Sequence, residues 1–150
     1  MLGKEGYVSE HVFFIAGRIT SDNKGRRMRW QARYSKEKKA REVWAIQFQA
    51  IVPRAILVDS PHRPRAITLK VFRNRSLDWD NLVAGLKPFI DVLKCKFFKG
   101  RTSDPNMLTW RGVIYDDSPK YVTWNVPQRT IHPSEGPWKE EGVEVKVEGI

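Results

Sequence analysis

A change of hydrophobic period between Ala66 and Leu93 constrains the fold more than any other feature of the chain. From Ala66 to Arg73, Ile67, Leu69 and Val71 alternate with Thr68 and Lys70, the period-two pattern of a strand with one face buried. Further on, a helix turning about 100° per residue would gather Leu82, Leu86, Phe89, Ile90 and Leu93 on one side, with Asp80, Ala84, Lys87 and Asp91 on the other. The apolar side of such a helix docks on the sheet, leaving the charged side outward. Gly85 and Pro88 interrupt it, since one is a poor helix former and the other has no backbone N–H. The helix is therefore expected either to kink or to start near Gly85 with Pro88 in its first turn. Lys87 and Asp91 stay four residues apart in both cases.

The remaining elements follow from the same signals. His11 to Ile19 is apolar and β-prone, a first strand. Ser35 can cap a helix running to about Ile51, with Ala40, Val43, Trp44, Gln47, Phe48 and Ile51 at helical spacing, and Pro53 ends it. Asp59 to Arg65, with Pro61 and Pro64, reads as a loop. Tyr121 to Val126 and Val143 to Glu148 read as strands. The order strand, helix, strand, helix, strand, strand predicts an α+β fold, a mixed β-sheet flanked by two main α-helices. No internal repeat is visible, so residues 1–150 are expected to form one domain.

Several classes are excluded at this level. The single cysteine, Cys95, leaves no disulfide framework and no cysteine-built zinc site, which suits a reduced, cytoplasmic setting. The longest wholly apolar run, Val12 to Ala16, is far short of the ~20 residues a spanning helix needs. The N-terminus lacks the pattern of a signal peptide. No glycine-rich phosphate loop appears, so no nucleotide cofactor is expected. His11, His62 and His132 lack ligand spacing and are expected to be structural or exposed. Cys95, amid lysines, is a thiol whose pKa those charges would lower.

Charge supplies the positive clue. Lys plus Arg number 27 against 17 acidic residues, a net charge of +10. Ten Lys or Arg lie between Arg18 and Arg41 against only Asp22 and Glu37. A solvated basic face is one explanation. Contact with a polyanion is the other, because each neutralised phosphate releases condensed counterions. The turn chemistry of Thr20 to Gly25, followed by Arg26, Arg27 and Arg29, predicts a basic loop at about 20–30, and 94–111 reads as a long basic connection.

Chemistry concentrates in Arg73-Asn-Arg-Ser-Leu-Asp78-Trp-Asp80-Asn81. Two carboxylates one residue apart point the same way on extended backbone and repel. A hard divalent cation relieves that repulsion; a turn or helix cap is the plainer role for the same residues. Lys87 and Asp91 either join this face functionally or form a surface salt bridge. Asp116 and Asp117 either begin a helix or bring a third carboxylate to the first pair. Trp79, between the two aspartates, is the tryptophan best placed to meet a nucleobase.

Three segments in order, Asp78-Trp-Asp80-Asn81-Leu82, Lys87-Pro-Phe-Ile-Asp91-Val-Leu93 and Gly112-Val-Ile-Tyr-Asp116-Asp117, resemble the RusA family of Holliday-junction resolvases, especially its phage-type members. The family's best-known pattern has its lysine where this chain has Ala84, three residues before Lys87. The 94–111 connection is also longer than usual.

The resemblance implies an endonuclease that resolves four-way DNA by paired phosphodiester hydrolysis, acting as a homodimer with Mg²⁺, for which Mn²⁺ can substitute. Asp78, Asp80 and Asp117 then bind the metal and are catalytic with Lys87, and Asp91 is a further ligand or orients Lys87. Bound metal would lower the pKa of the attacking water and stabilise charge developing on the phosphate. Arg73, Arg75, Lys24, Arg26 and Arg27 would bind the DNA backbone. The competing readings are a non-catalytic nucleic-acid-binding module and a metal-dependent nuclease acting on another DNA structure.

Overall fold

A computed structural model describes residues 9–20, 30–97 and 107–150. Strand β1 (Glu10–Ala16) leads to helix α1 (Trp30–Ile51), strand β2 (Arg65–Phe72) and helix α2 (Trp79–Leu93). A short antiparallel pair, β3 (Lys96–Phe97) and β4 (Leu108–Trp110), precedes β5 (Val122–Asn125) and β6 (Gly142–Glu148). The main sheet has the order β1-β6-β2-β5. Its pairings are antiparallel except that β2 and β5 run parallel. The fold is α+β, a mixed sheet with two helices. Among the described residues no helix is long and apolar enough to cross a membrane.

Alternation decides the layers. Val143, Val145 and Val147 of β6 and Ile67, Leu69 and Val71 of β2 are buried in one core with Phe13 and Ile15 of β1. Lys70, Glu144 and Lys146, at alternate positions, project from the other face, where Lys70 pairs with Glu144. Helix α2 closes the core with Leu82, Leu86, Phe89, Val92 and Leu93. Helix α1 contributes Trp44 and Phe48, with Val52 just beyond its end. The Trp44 ring meets Phe89 edge-on at 5.1 Å, and Phe48 meets Phe13 likewise at 6.3 Å.

Three expectations are corrected. The first strand stops at Ala16, not Ile19, because Gly17 turns the chain at φ +148°, with the Trp44 ring where a side chain would sit. Helix α1 begins at Trp30, which puts Ser35 inside it instead of at its cap. Gln31, Ala32 and Tyr34 contain no breaker, and the helix extends through them. The core stripe of α1 is also narrower than expected, leaving Val43 59% and Ile51 40% exposed.

Helix α2 is continuous across Gly85 and Pro88. The Asp78 carboxylate accepts a hydrogen bond from Asn81 N at 3.1 Å and caps its true start. Burial of the apolar face holds the helix together past the missing Pro88 donor. Gly85 is required for close approach, since a Cβ there would lie 2.4 Å from the Thr20 carbonyl oxygen.

Candidate functional site

The motif residues divide between opposite edges of the sheet. Helix α2 leaves the carboxyl end of β2 and returns along the sheet, so its first turn and its last turn sit at different edges. At about 1.5 Å rise per residue, Asp80 and Asp91 are roughly 16 Å apart along the axis. Strand β2 spans about 23 Å at ~3.3 Å per residue.

At the carboxyl edge, Asp78, Trp79 and Asp80 are all exposed at the start of α2. Acidic groups are favoured there by the helix dipole. Trp79 and Gln128 line an open cleft of about 350 Å³. Asn81, next in the motif, is 8% exposed, and its Oδ1 has no hydrogen-bond partner among the described residues.

Arg73 is committed internally. Its Nε donates to the Ile19 carbonyl at 2.9 Å and its Nη1 to that of Arg75 at 2.5 Å. Burial, the nearby Arg18 charge and Arg75 lower its pKa, with Glu141 opposing. Arg73 therefore ties the end of β2 to the segment after β1. Glu141 stitches the same edge, accepting from Arg18 Nε and Nη2 at 3.1 and 3.0 Å and from Asn74 N at 3.0 Å. Arg75 is exposed and keeps the backbone-binding expectation. Lys24, Arg26 and Arg27 lie outside the described residues.

At the amino edge, Lys94 joins two carboxylates. Its Nζ lies 3.1 Å from Asp117 Oδ2 and 3.6 Å from Asp91 Oδ1, and Arg41 reaches Asp91 Oδ2 at 3.8 Å. The Lys94 hydrogen bond holds the Asp117 carboxyl below its usual range, against the opposing effect of burial. Burial also works against the Lys94 ammonium, yet the Asp117 hydrogen bond and the charges of Asp117, Asp91 and Asp116 outweigh it and raise its pKa. Lys87, exposed one turn before Asp91, has no ion pair among the described residues. The Lys87–Asp91 bridge is replaced by Arg41 and Lys94.

The carboxylates expected to share a cation are thus divided between the two ends of α2. Among the described residues no group of three His, Cys, Asp or Glu is placed to hold a metal ion. Asp117 docks at the end of α2 through Lys94, while Asp78 and Asp80 stay at the beginning. The described residues of a single chain bring at most two carboxylates together at each end of α2.

Sequence reasoning passed over Lys94 and Arg41. The i, i+3 spacing of Asp91 and Lys94 was the available signal for the first. Cys95 is corrected as well, because burial raises its thiol pKa against the smaller effects of a Gly112 backbone hydrogen bond and the Arg111 charge. His62 accepts from Tyr115 N at 3.0 Å and His132 from Ser134 N at 3.2 Å, both structural roles. No protein-family model, curated protein or solved structure matches the chain.

The Lys94–Asp117 pair makes stability pH-dependent. Asp117, lowered on folding, contributes above its unfolded value of ~3.9 and loses that contribution as pH falls through its folded value. Lys94, raised on folding, contributes below its unfolded value of ~10.4 and loses it as pH rises through its folded value. Half-exposure of Asp117 limits the pair to about 0.5–1 kcal/mol. Urea denaturation from pH 2 to pH 7 should show Lys94→Met removing that increment at neutral pH and not at pH 2. An equal difference at both pH values would mean the lysine acts by packing.

Proposed function

We propose that the chain is a DNA endonuclease of the RusA type, acting on four-way junctions with Mg²⁺ and completing its acidic site between two copies. The observation that carries this is the Lys94 ammonium, which draws Asp117 from 23 residues away onto the turn bearing Asp91. A carboxylate pair that already holds one cation lies at one end of α2, and an exposed pair with no ion pair among the described residues lies at the other. A twofold axis across α2 would exchange these ends, so each site would join Asp78 and Asp80 of one copy with Asp91 and Asp117 of its partner. Lys87, exposed on the same face, would meet the phosphate as a point charge. Arg75 would hold the DNA backbone.

A second reading, a DNA-binding module that does not cut, is favoured by the absence of a three-carboxylate group within the described residues of one chain. The discriminating experiment incubates the protein with synthetic four-way, duplex and single-stranded DNA, with and without Mg²⁺. Cutting confined to the four-way substrate and dependent on Mg²⁺ is the expected result. Tight binding with no cutting of any substrate would leave the binding module standing. Cutting of plain duplex at the same rate would indicate another nuclease.

A further inference from the structure

A cleft of about 560 Å³ opens between the end of α1 and β4, lined by Gln49, Arg54, Trp110 and Arg111 with Phe48 behind them. Among the described residues no carboxylate lines it. Arg54 and Arg111 are exposed and have no ion pair among the described residues. We infer that this cleft is a second phosphate-binding site, with the two guanidiniums as donors for a phosphodiester of a DNA strand.

The walls are pre-set by a buried framework. Arg65, 8% exposed, donates through Nη1 to the carbonyls of Ile56 and Val113, each at 2.7 Å. Those acceptors lie two residues after Arg54 and two after Arg111, so one guanidinium fixes both segments that carry the exposed arginines. Val58 N donates to the Gly112 carbonyl at 2.9 Å, and the Cys95 thiol donates to that of Val58 at 3.2 Å. The Trp110 indole N–H, donating to Val92 O at 2.9 Å, anchors the floor. Little ordering remains to be done on binding, which favours affinity.

The charge balance selects an anion. Arg65 is satisfied by neutral carbonyls and has no ion pair among the described residues, so its charge adds to the potential of Arg54 and Arg111. Planar guanidiniums match phosphate oxygens in pairs, and the exposed Gln49 amide offers a further donor. The inference rests on the DNA-directed part of the proposed function and not on the cutting chemistry.

The test is DNA binding by fluorescence anisotropy in EDTA across a salt series. It compares the wild type, Arg54→Ala/Arg111→Ala, and Lys70→Ala/Lys139→Ala, which removes equal charge elsewhere. The arginine variant should flatten the slope of log affinity against log salt by up to ~1.8, at ~0.9 per contact, while the lysine variant keeps the wild-type slope. Equal slopes in the two variants would overturn the inference. Thermal shifts with inorganic phosphate and thymidine monophosphate form a second arm. Arginine-dependent stabilisation by these without a slope change on DNA would assign the cleft to a free phosphate ligand and overturn the DNA source. Junction cutting with an unchanged arginine slope removes the cleft alone. An arginine-dependent slope without cutting removes the nuclease reading alone.

Discussion

Two variants that do not cut alone, Asp80→Asn and Asp117→Asn, should cut when their chains are combined. The expectation follows from the placement of these aspartates at opposite ends of α2, Asp80 in the first turn and Asp117 on Lys94 just past the last. If each site draws one end of α2 from each copy, a mixed dimer contains one site with both substitutions and one with neither. Loss of residues that merely orient metal ligands costs 10–100-fold, so a direct ligand should cost at least ~100-fold. Free exchange of chains makes about half the dimers mixed, each with one intact site of two, restoring roughly a quarter of wild-type sites. That is about 25-fold above either variant alone.

The readout must be nicking of a single strand, since a mixed dimer cannot make paired cuts. Co-expression with two different tags isolates the mixed species. A mixed dimer as inactive as its parents would refute the shared site, because carboxylates working within one chain cannot be complemented by another. The same outcome would place the required carboxylates in one chain's site.

Local pattern made the sheet legible. Ile67, Leu69 and Val71 alternate as a one-sided strand must, and the structure buries all three. The apolar face of α2 was equally plain, because five of its residues recur at helical spacing. The division of the acidic motifs was not legible, since it depends on β5 running parallel to β2. Parallel pairing puts the start of β5, and with it Asp117, beside the start of β2, whereas Asp78 follows its end. No spacing along the chain encodes that choice. The Arg18–Glu141 pair, 123 residues apart, is invisible for the same reason. The hydrogen bonds of Arg73 to two backbone carbonyls are likewise hidden, because an arginine before an acidic motif has the same letter whether or not it is tied to the backbone.

Replacing Arg65 with Met should be the most damaging single change outside the apolar core. A charged side chain 8% exposed is retained here by two carbonyl acceptors at 2.7 Å, one 48 residues further along the chain and one nine residues back. Methionine approximates the length of the stem but donates nothing, which leaves the Ile56 and Val113 carbonyls short of their partner. Hydrogen bonds to a charged group contribute about 1.5–3 kcal/mol each. Burial opposes the arginine itself and lowers its pKa, so relief of that penalty offsets part of the loss. The net expectation is destabilisation by ~2–4 kcal/mol, read as a shift in urea midpoint. Arg65→Lys should fall between, since an ammonium has N–H groups for both carbonyls but its shorter stem does not set them where Nη1 stands. Wild-type stability in Arg65→Met would mean that the Val58–Gly112 and Cys95–Val58 hydrogen bonds suffice to hold the two segments together. In a variant that stays folded, the framework behind Arg54 and Arg111 would be loosened without touching either, so DNA affinity should fall even where the fold survives.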